Sequence, residues 1–269
     1  MRLSIIILSF DIKHLRLGIK LEPMAKPSKF DSSLQHMDDE LSKAKHQNNF
    51  QTWLFSQIYP YLKGNILELG SGLGSVSSLL IKKYKRGTIY LSDSDEDYVN
   101  DLKIKFNKFR NVKIAKINAT KKNDFKVIPK KIDTIFAVNV LEHIKNDQLV
   151  INNVYDSLND GGRFIVLVPA HPYLYNKIDK AVGHYRRYTK QRICKLAKKS
   201  GFNINKIFYF NAVSILGWFL SGKIFNQSSV NESNLSLLNK LIPTIAKIEK
   251  IFNKKIGISI IAILDKKSE

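Results

Sequence analysis

Asn65-Ile-Leu-Glu-Leu-Gly-Ser-Gly-Leu-Gly74 is the stretch from which the rest of the chain can be read. A short apolar run, Ile66, Leu67 and Leu69, leads into three glycines at alternate positions, Gly70, Gly72 and Gly74. Val76, Leu79, Leu80 and Tyr84 then recur at helical spacing. The order is strand, tight turn, helix. Glycine suits such a turn because it takes backbone conformations closed to other residues and lets a ligand approach with no side chain between.

Working outward, the same alternation continues. Apolar patterning predicts strands over 88–93, 112–117, 132–138, 164–168, 202–210 and 258–264, and helices over 75–84, 97–109, 146–159 and 189–199, with Gly161-Gly162 stopping the third of these helices. Upstream, Phe50, Trp53, Leu54, Ile58 and Tyr61 form a helical stripe within 38–62. Strands alternating with helices at this rhythm predict an α/β class, a doubly wound and mostly parallel sheet with right-handed crossovers. The apolar fraction of 44% over 269 residues suffices for one large core. Residues 38–269 therefore read as one domain with a helical insertion at about 211–256, and residues 1–37 as a poorly specified arm in which Met24 is as good a start as Met1.

In a sheet of this kind ligands bind at the carboxyl ends of the strands. Those ends supply Gly70–Gly74, Asp93-Ser94, Asn118-Ala119 and Asn139. The glycine spacing departs from the dinucleotide fingerprint G-x-G-x-x-G, since Ser75 stands where the third glycine belongs. Glu68, two residues before the first glycine, suits a ligand with positive charge and hydroxyls better than a pyrophosphate. The pattern E-x-G-x-G-x-G resembles motif I of the class I S-adenosylmethionine (SAM)-dependent methyltransferases.

Asn139-Val-Leu-Glu-His-Ile is similar to the run after the fourth strand in small-molecule methyltransferases of the ubiquinone-biosynthesis type. Val168-Pro-Ala-His-Pro-Tyr and Gly183-His-Tyr-Arg-Arg-Tyr-Thr resemble a block of a SAM-dependent methyltransferase subfamily, as does Gly257-Ile-Ser-Ile-Ile-Ala. The resemblance spans roughly Trp53 to Leu264. It implies a seven-stranded sheet whose last strand runs antiparallel, and SAM as the cofactor. It places Glu68, Gly70, Ser71, Gly72, Gly74, Asp93, Ser94, Asn118, Ala119 and Asn139 around that cofactor. Asp93 would accept hydrogen bonds from ribose hydroxyls, or cap the following helix, or both. Asn118 stands where the family usually has an acidic residue, and its carbonyl would accept from the adenine amino group.

His143 and His184 are the candidate bases; His143 alternatively caps or packs the following helix. His171, Tyr173, Tyr185, Arg186, Arg187 and Tyr188 would form the acceptor wall, with at least one of the two arginines instead clamping the loop onto the sheet. The sequence spacing indicates no metal cluster. The missing N/D-P-P-Y/F run argues against a base-amine acceptor, so the expected acceptor is a small molecule or one linked to lipid or sugar.

The formal charge of +21 comes from 44 Lys+Arg against 23 Asp+Glu, but lysines are scattered along the whole chain. Nucleic acid is therefore not the expected partner, although an RNA-modifying enzyme and a non-catalytic SAM-binding, membrane-associated protein remain rival readings. The single Cys194 excludes a disulfide framework and points to a reducing cytoplasm. The apolar stretch 210–225 would close the acceptor pocket, pack a dimer, or touch a membrane surface.

Overall fold

The computed structural model describes residues 49–128, 132–219 and 232–268. The arm 1–37, and Lys223, Ile224 and Phe225 of the insertion, lie outside the described residues. In chain order the elements are a helix whose described part covers 49–58 (α1), β1 Ile66–Leu69, α2 Ser75–Lys83, β2 Ile89–Asp93, α3 Glu96–Phe106, β3 Val112–Lys116, β4 Ile132–Val138, α4 Asp147–Ser157, β5 Leu158–Pro169, α5 Lys177–Ala181, α6 Lys190–Lys199, β6 Asn203–Phe210, α7 Ser214–Phe219, α8 Glu232–Glu249 and β7 Ser259–Asp265.

The strands form one seven-stranded sheet in the order β3-β2-β1-β4-β5-β7-β6. β1 lies parallel between β2 and β4, and β7 runs antiparallel to both β5 and β6, as expected. The chain reverses its direction of winding between β1 and β4, which opens a crevice at their carboxyl ends.

Period-2 alternation sorts each strand's side chains into two cores. Leu67, Leu69, Ile135, Ala137, Val166 and Val168 pack with Val150, Ile151 and Val154 of α4 and Ile193 and Ala197 of α6. Ile66, Phe136, Ile165 and Leu167 pack on the other face with Phe55 and Ile58 of α1, Leu80 and Ile81 of α2, Leu102 and Phe106 of α3, and Ile242 and Ile245 of α8. Fully burying each such side chain contributes about 1.5–3 kcal/mol. The insertion is helical where described, and α8 closes the second core.

Local chemistry sets the boundaries. The Asp95 side chain accepts from Asp97 N at 2.8 Å and caps α3, which ends at Phe106 rather than Phe109. Gly161-Gly162 does not stop a helix running to Asn159. Helix α4 ends at Ser157, and the two glycines belong to β5, where Gly161 N donates to Lys267 O and Gly162 O accepts from Lys266 N. No helix among the described residues is long and apolar enough to cross a membrane.

Candidate active site

The carboxyl ends of β1 to β4 surround a cleft of about 430 Å³, within the range of small-molecule sites. It is lined by Gly70 after β1, by Asp93 and Ser94 after β2, by Asn118, Ala119 and Thr120 after β3, and by Asn139, Val140 and His143 after β4. Tyr98 of α3, Ile144 and Lys145 complete the wall.

Asp93 is the hinge of this arrangement. Its Oδ2 accepts from Gly72 N at 3.0 Å and its Oδ1 accepts from Asp95 N at 3.1 Å, so the carboxylate fixes the glycine turn and the start of α3. Each carboxylate oxygen keeps a further lone pair for ligand hydroxyls. Gly70 and Gly72 have φ of 70° and 52°, a region that favours glycine. Asn139 also has a positive φ, 52°, which Asn tolerates, and its N–H donates to Leu167 O at 2.9 Å.

The rest of the turn supports the cleft from behind. Ser77 Oγ donates to the buried Glu68 Oε2 at 2.5 Å, and Ser71 N donates to Ser92 O at 2.8 Å. At Gly74, φ is 75°, and a Cβ would lie 2.7 Å from the Phe106 ring, so this glycine admits the close packing of α2 on α3. Asn118 corrects an expectation. Its Oδ1 accepts from both N and Oγ1 of Thr120, at 3.0 and 2.7 Å. Its oxygen is engaged, and the end available to a ligand is the NH2 donor.

The wall expected to face an acceptor is the loop after β5, and its hub is the buried Asp179 at the start of α5. The Asp179 carboxylate accepts from Asn176 N at 3.1 Å, completing a capping box, from Arg187 Nε at 2.9 Å, and faces His184 Nδ1 at 2.8 Å. His184 Nε2 in turn faces Oε1 of the fully buried Glu142 at 3.9 Å. The His184 ring stands edge-on to His143 with centroids 4.6 Å apart. Tyr185 N donates to Glu142 O at 2.7 Å, tying the loop to the turn Leu141–His143. The cleft therefore meets His143, with His184 behind it.

Arg187 and Tyr188, expected on the acceptor wall, are buried and hold the loop itself. Arg187 NH1 donates to Ala170 O at 3.2 Å, and its guanidinium lies 4.2 Å from the Trp218 ring. Tyr188 Oη donates to Asp147 Oδ2 at 3.1 Å; burial, reinforced by that carboxylate, pushes the phenol pKa up and keeps it a donor. Arg186 grips the cleft rim through Ile144 O at 3.0 Å and Lys145 O at 2.8 Å, and pairs with Asp147 at 3.1 Å. His171 stacks on Tyr209 with centroids 5.1 Å apart and contacts Gly257 O through Nε2 at 3.0 Å; burial lowers its pKa. His171 and the exposed Tyr173 and Tyr185 are not among the residues lining the cleft.

Sequence reasoning passed over Tyr98, Thr120, Val140, Ile144 and Lys145. Tyr98 lies three residues after the Asp95 cap, hence on the same side of α3, and that spacing is the signal that could have found it. Glu142 was visible only as a letter in a motif. In the insertion Phe210, Ala212 and Trp218 are buried, so this part of 210–225 turns inward.

Residues 67–164 match a protein family described as a methyltransferase domain. The sheet order and the glycine turn at the carboxyl end of β1 agree with that match. The chain is 28% identical over 199 residues to (S)-coclaurine N-methyltransferase of Papaver somniferum, covering 69% of this chain and 54% of that one. It thus spans about half the length of this curated relative. Among solved structures it is similar to a SAM-dependent methyltransferase from Archaeoglobus fulgidus, with a TM-score of 0.52 at 16% identity over 80% of this chain and 94% of that one. It is also similar to the cyclase SpnF, with a TM-score of 0.57 at 14% identity over 83% of each chain. At such identities these likenesses show the fold alone.

The cleft fits SAM by its donor set. A carboxylate with spare lone pairs suits a diol, an amide NH2 suits a heterocycle nitrogen, and glycine backbone admits close approach.

Proposed function

We propose that this chain transfers the methyl group of SAM to a small-molecule acceptor bound at the mouth of the cleft, beside His143. The observation that carries the reading is the convergence of Gly70, Asp93, Asn118, Asn139 and His143 on one cleft from the ends of four strands. Asp93 would hold the ribose hydroxyls, the Asn118 NH2 the adenine ring, and Asn139 would border the methionine portion. Bound SAM supplies a methyl group on a sulfonium that is already a good leaving group, so the chain's contribution is mainly positioning. His143 would take a proton from the acceptor at a ring nitrogen, while His184, held by Asp179, packs its ring against it.

The small-molecule class is supported by the likeness to (S)-coclaurine N-methyltransferase. The narrower kinship with ubiquinone-type enzymes is supported by the run Asn139-Val-Leu-Glu-His-Ile after β4. A lipid- or sugar-linked acceptor and contact of 210–225 with a membrane have less support, because Phe210, Ala212 and Trp218 face inward. An RNA acceptor is favoured only by the charge of +21. It would show as specific RNA binding that weakens steeply with salt.

Thermal unfolding with S-adenosylhomocysteine tests the cofactor assignment, with NAD as control. At a hundredfold excess over its dissociation constant the ligand adds about 2.7 kcal/mol, which moves the midpoint by several degrees. A shift with NAD alone would overturn the proposal.

A further inference from the structure

The segment from Lys240 to Ile256 repeats one kind of pair: Lys240-Leu241, Lys247-Ile248, Lys250-Ile251 and Lys255-Ile256. All of these residues are exposed, the aliphatic ones to between 42% and 80%. We infer that this face, on the second half of α8 and the turn that follows it, is a docking surface for an anionic membrane.

Helix geometry separates three rows. Leu241 and Ile248 stand seven residues apart and Ile251 three further on, so they align along one side of α8 and its extension Lys250–Phe252. Each lysine lies one residue earlier, hence about 100° round the axis, which sets Lys240, Lys247 and Lys250 beside that stripe. Ile242, Ile245 and Glu249 make the third row, which is buried. The two isoleucines of that row join the second core. Helix α8 thus packs one apolar row inward and presents a second one to the outside.

Charge selects what that second row meets. The only carboxylate in 240–256 is Glu249, which turns inward to accept from Ala212 N. Lys254 adds a fifth lysine to the segment, and its Nζ lies 4.2 Å from the Phe208 ring centroid, against β6. A uniformly positive face repels a second copy of itself and attracts an anionic one. Lysine stems can lie along the aliphatic stripe with their ammonium groups at the level of lipid phosphates, while Leu and Ile enter the acyl boundary. A protein partner fits less well, because interface centres favour tyrosine, tryptophan and arginine over lysine, and 240–256 contains none of those three. RNA would use the lysines and leave the aliphatic stripe in water.

The face sits at the sheet edge that carries the cleft. Ser259 at the start of β7 pairs with Pro169 and Phe210, the last residues of β5 and β6, so the turn before it lies at the carboxyl edge. His171, on the loop after β5, contacts Gly257 O at 3.0 Å. A docked chain would hold that loop close to the lipid surface. Docking stands on this face alone and not on the methyl-transfer reading.

Co-sedimentation of the full chain with phosphatidylcholine vesicles, with and without phosphatidylserine, tests the inference. The expected result is binding only where phosphatidylserine is present. Lys247→Glu with Lys250→Glu should weaken it about tenfold or more, and Ile251→Asn, which leaves the charge unchanged, should weaken it about threefold or more. Lys195→Glu with Lys198→Glu makes the same change in net charge on the exposed side of α6, across the sheet, and should alter binding by less than about threefold. No binding by the wild type, equal losses from the two lysine pairs, or indifference to Ile251→Asn overturns the inference. So does a dimer in light scattering that Ile251→Asn dissolves, which would give the face to a second copy. S-adenosylhomocysteine affinity, measured on the same variants, should match the wild type, so either reading can fail without the other.

Discussion

Asp93 fixes the glycine turn and, in the proposed reading, also holds a ligand hydroxyl, and its replacement should reveal both. Asp93→Ala removes the acceptor for Gly72 N and for any ligand hydroxyl. S-adenosylhomocysteine should bind about 10- to 150-fold more weakly, a loss of about 1.5–3 kcal/mol, by isothermal titration. An unchanged dissociation constant would leave Asp93 with its structural role alone. Gly74 makes the complementary case. Gly74→Ala would push a methyl to 2.7 Å from the Phe106 ring at a φ of 75°, and should cost about 1–3 kcal/mol in a urea titration. Phe106→Leu in the same chain should recover part of that loss. The glycines were legible in the sequence because the chain's own turn demands them. What Gly74 packs against was not, since Phe106 lies a strand and a helix away. At Asn118 the letter was legible but not its orientation, which the neighbouring Thr120 sets.

The alternation of strands and helices was readable from apolar spacing, whereas two ends shifted because caps and partners are not periodic. Asp95 starts α3 through its side chain, and the glycine pair joins β5 because residues after β7 pair with it. The insertion was readable only as a surplus of apolar residues. Its attachment depends on Glu249 at the end of α8, whose Oε2 accepts from Ala212 N at 2.8 Å. Burial pushes the Glu249 carboxyl pKa up from its ordinary value of 4.5. The folded chain thus holds that proton more tightly than the unfolded one, and stability falls as pH rises from 4.5 through the raised value, then levels. Glu249→Gln keeps a carbonyl for Ala212 N without the charge. It should raise the midpoint of thermal unfolding at about pH 7 and leave it nearly unchanged at about pH 4. An equal gain at both would show that the charge is not the cause.

Across the whole molecule the sheet separates two cores that share its strands but not their helices. Leu80→Ala on one face should cost about 2–5 kcal/mol and Ile151→Val on the other about 0.5–1.5. The double variant should equal their sum to within about 0.5 kcal/mol, since neither cavity can be filled by relaxation of the other. A larger discrepancy would mean that the sheet transmits strain between the layers. The two-sided burial of β4 was plain from its nearly continuous apolar run. The meeting of Glu142 with Asp179 and His184 was not, because it depends on a loop folding back, and spacing along a chain carries no distances. The same fold back has an optical consequence. The chain's two tryptophans stand at opposite duties: Trp53 packs in the second core, while Trp218 lies beneath the Arg187 guanidinium and donates Nε1–H to Leu174 O at 3.0 Å. The protein thus carries its own fluorophore on α7, packed against the loop after β5. In a Trp53→Phe background the emission of that one indole reports any loosening of the loop, in real time and without a label.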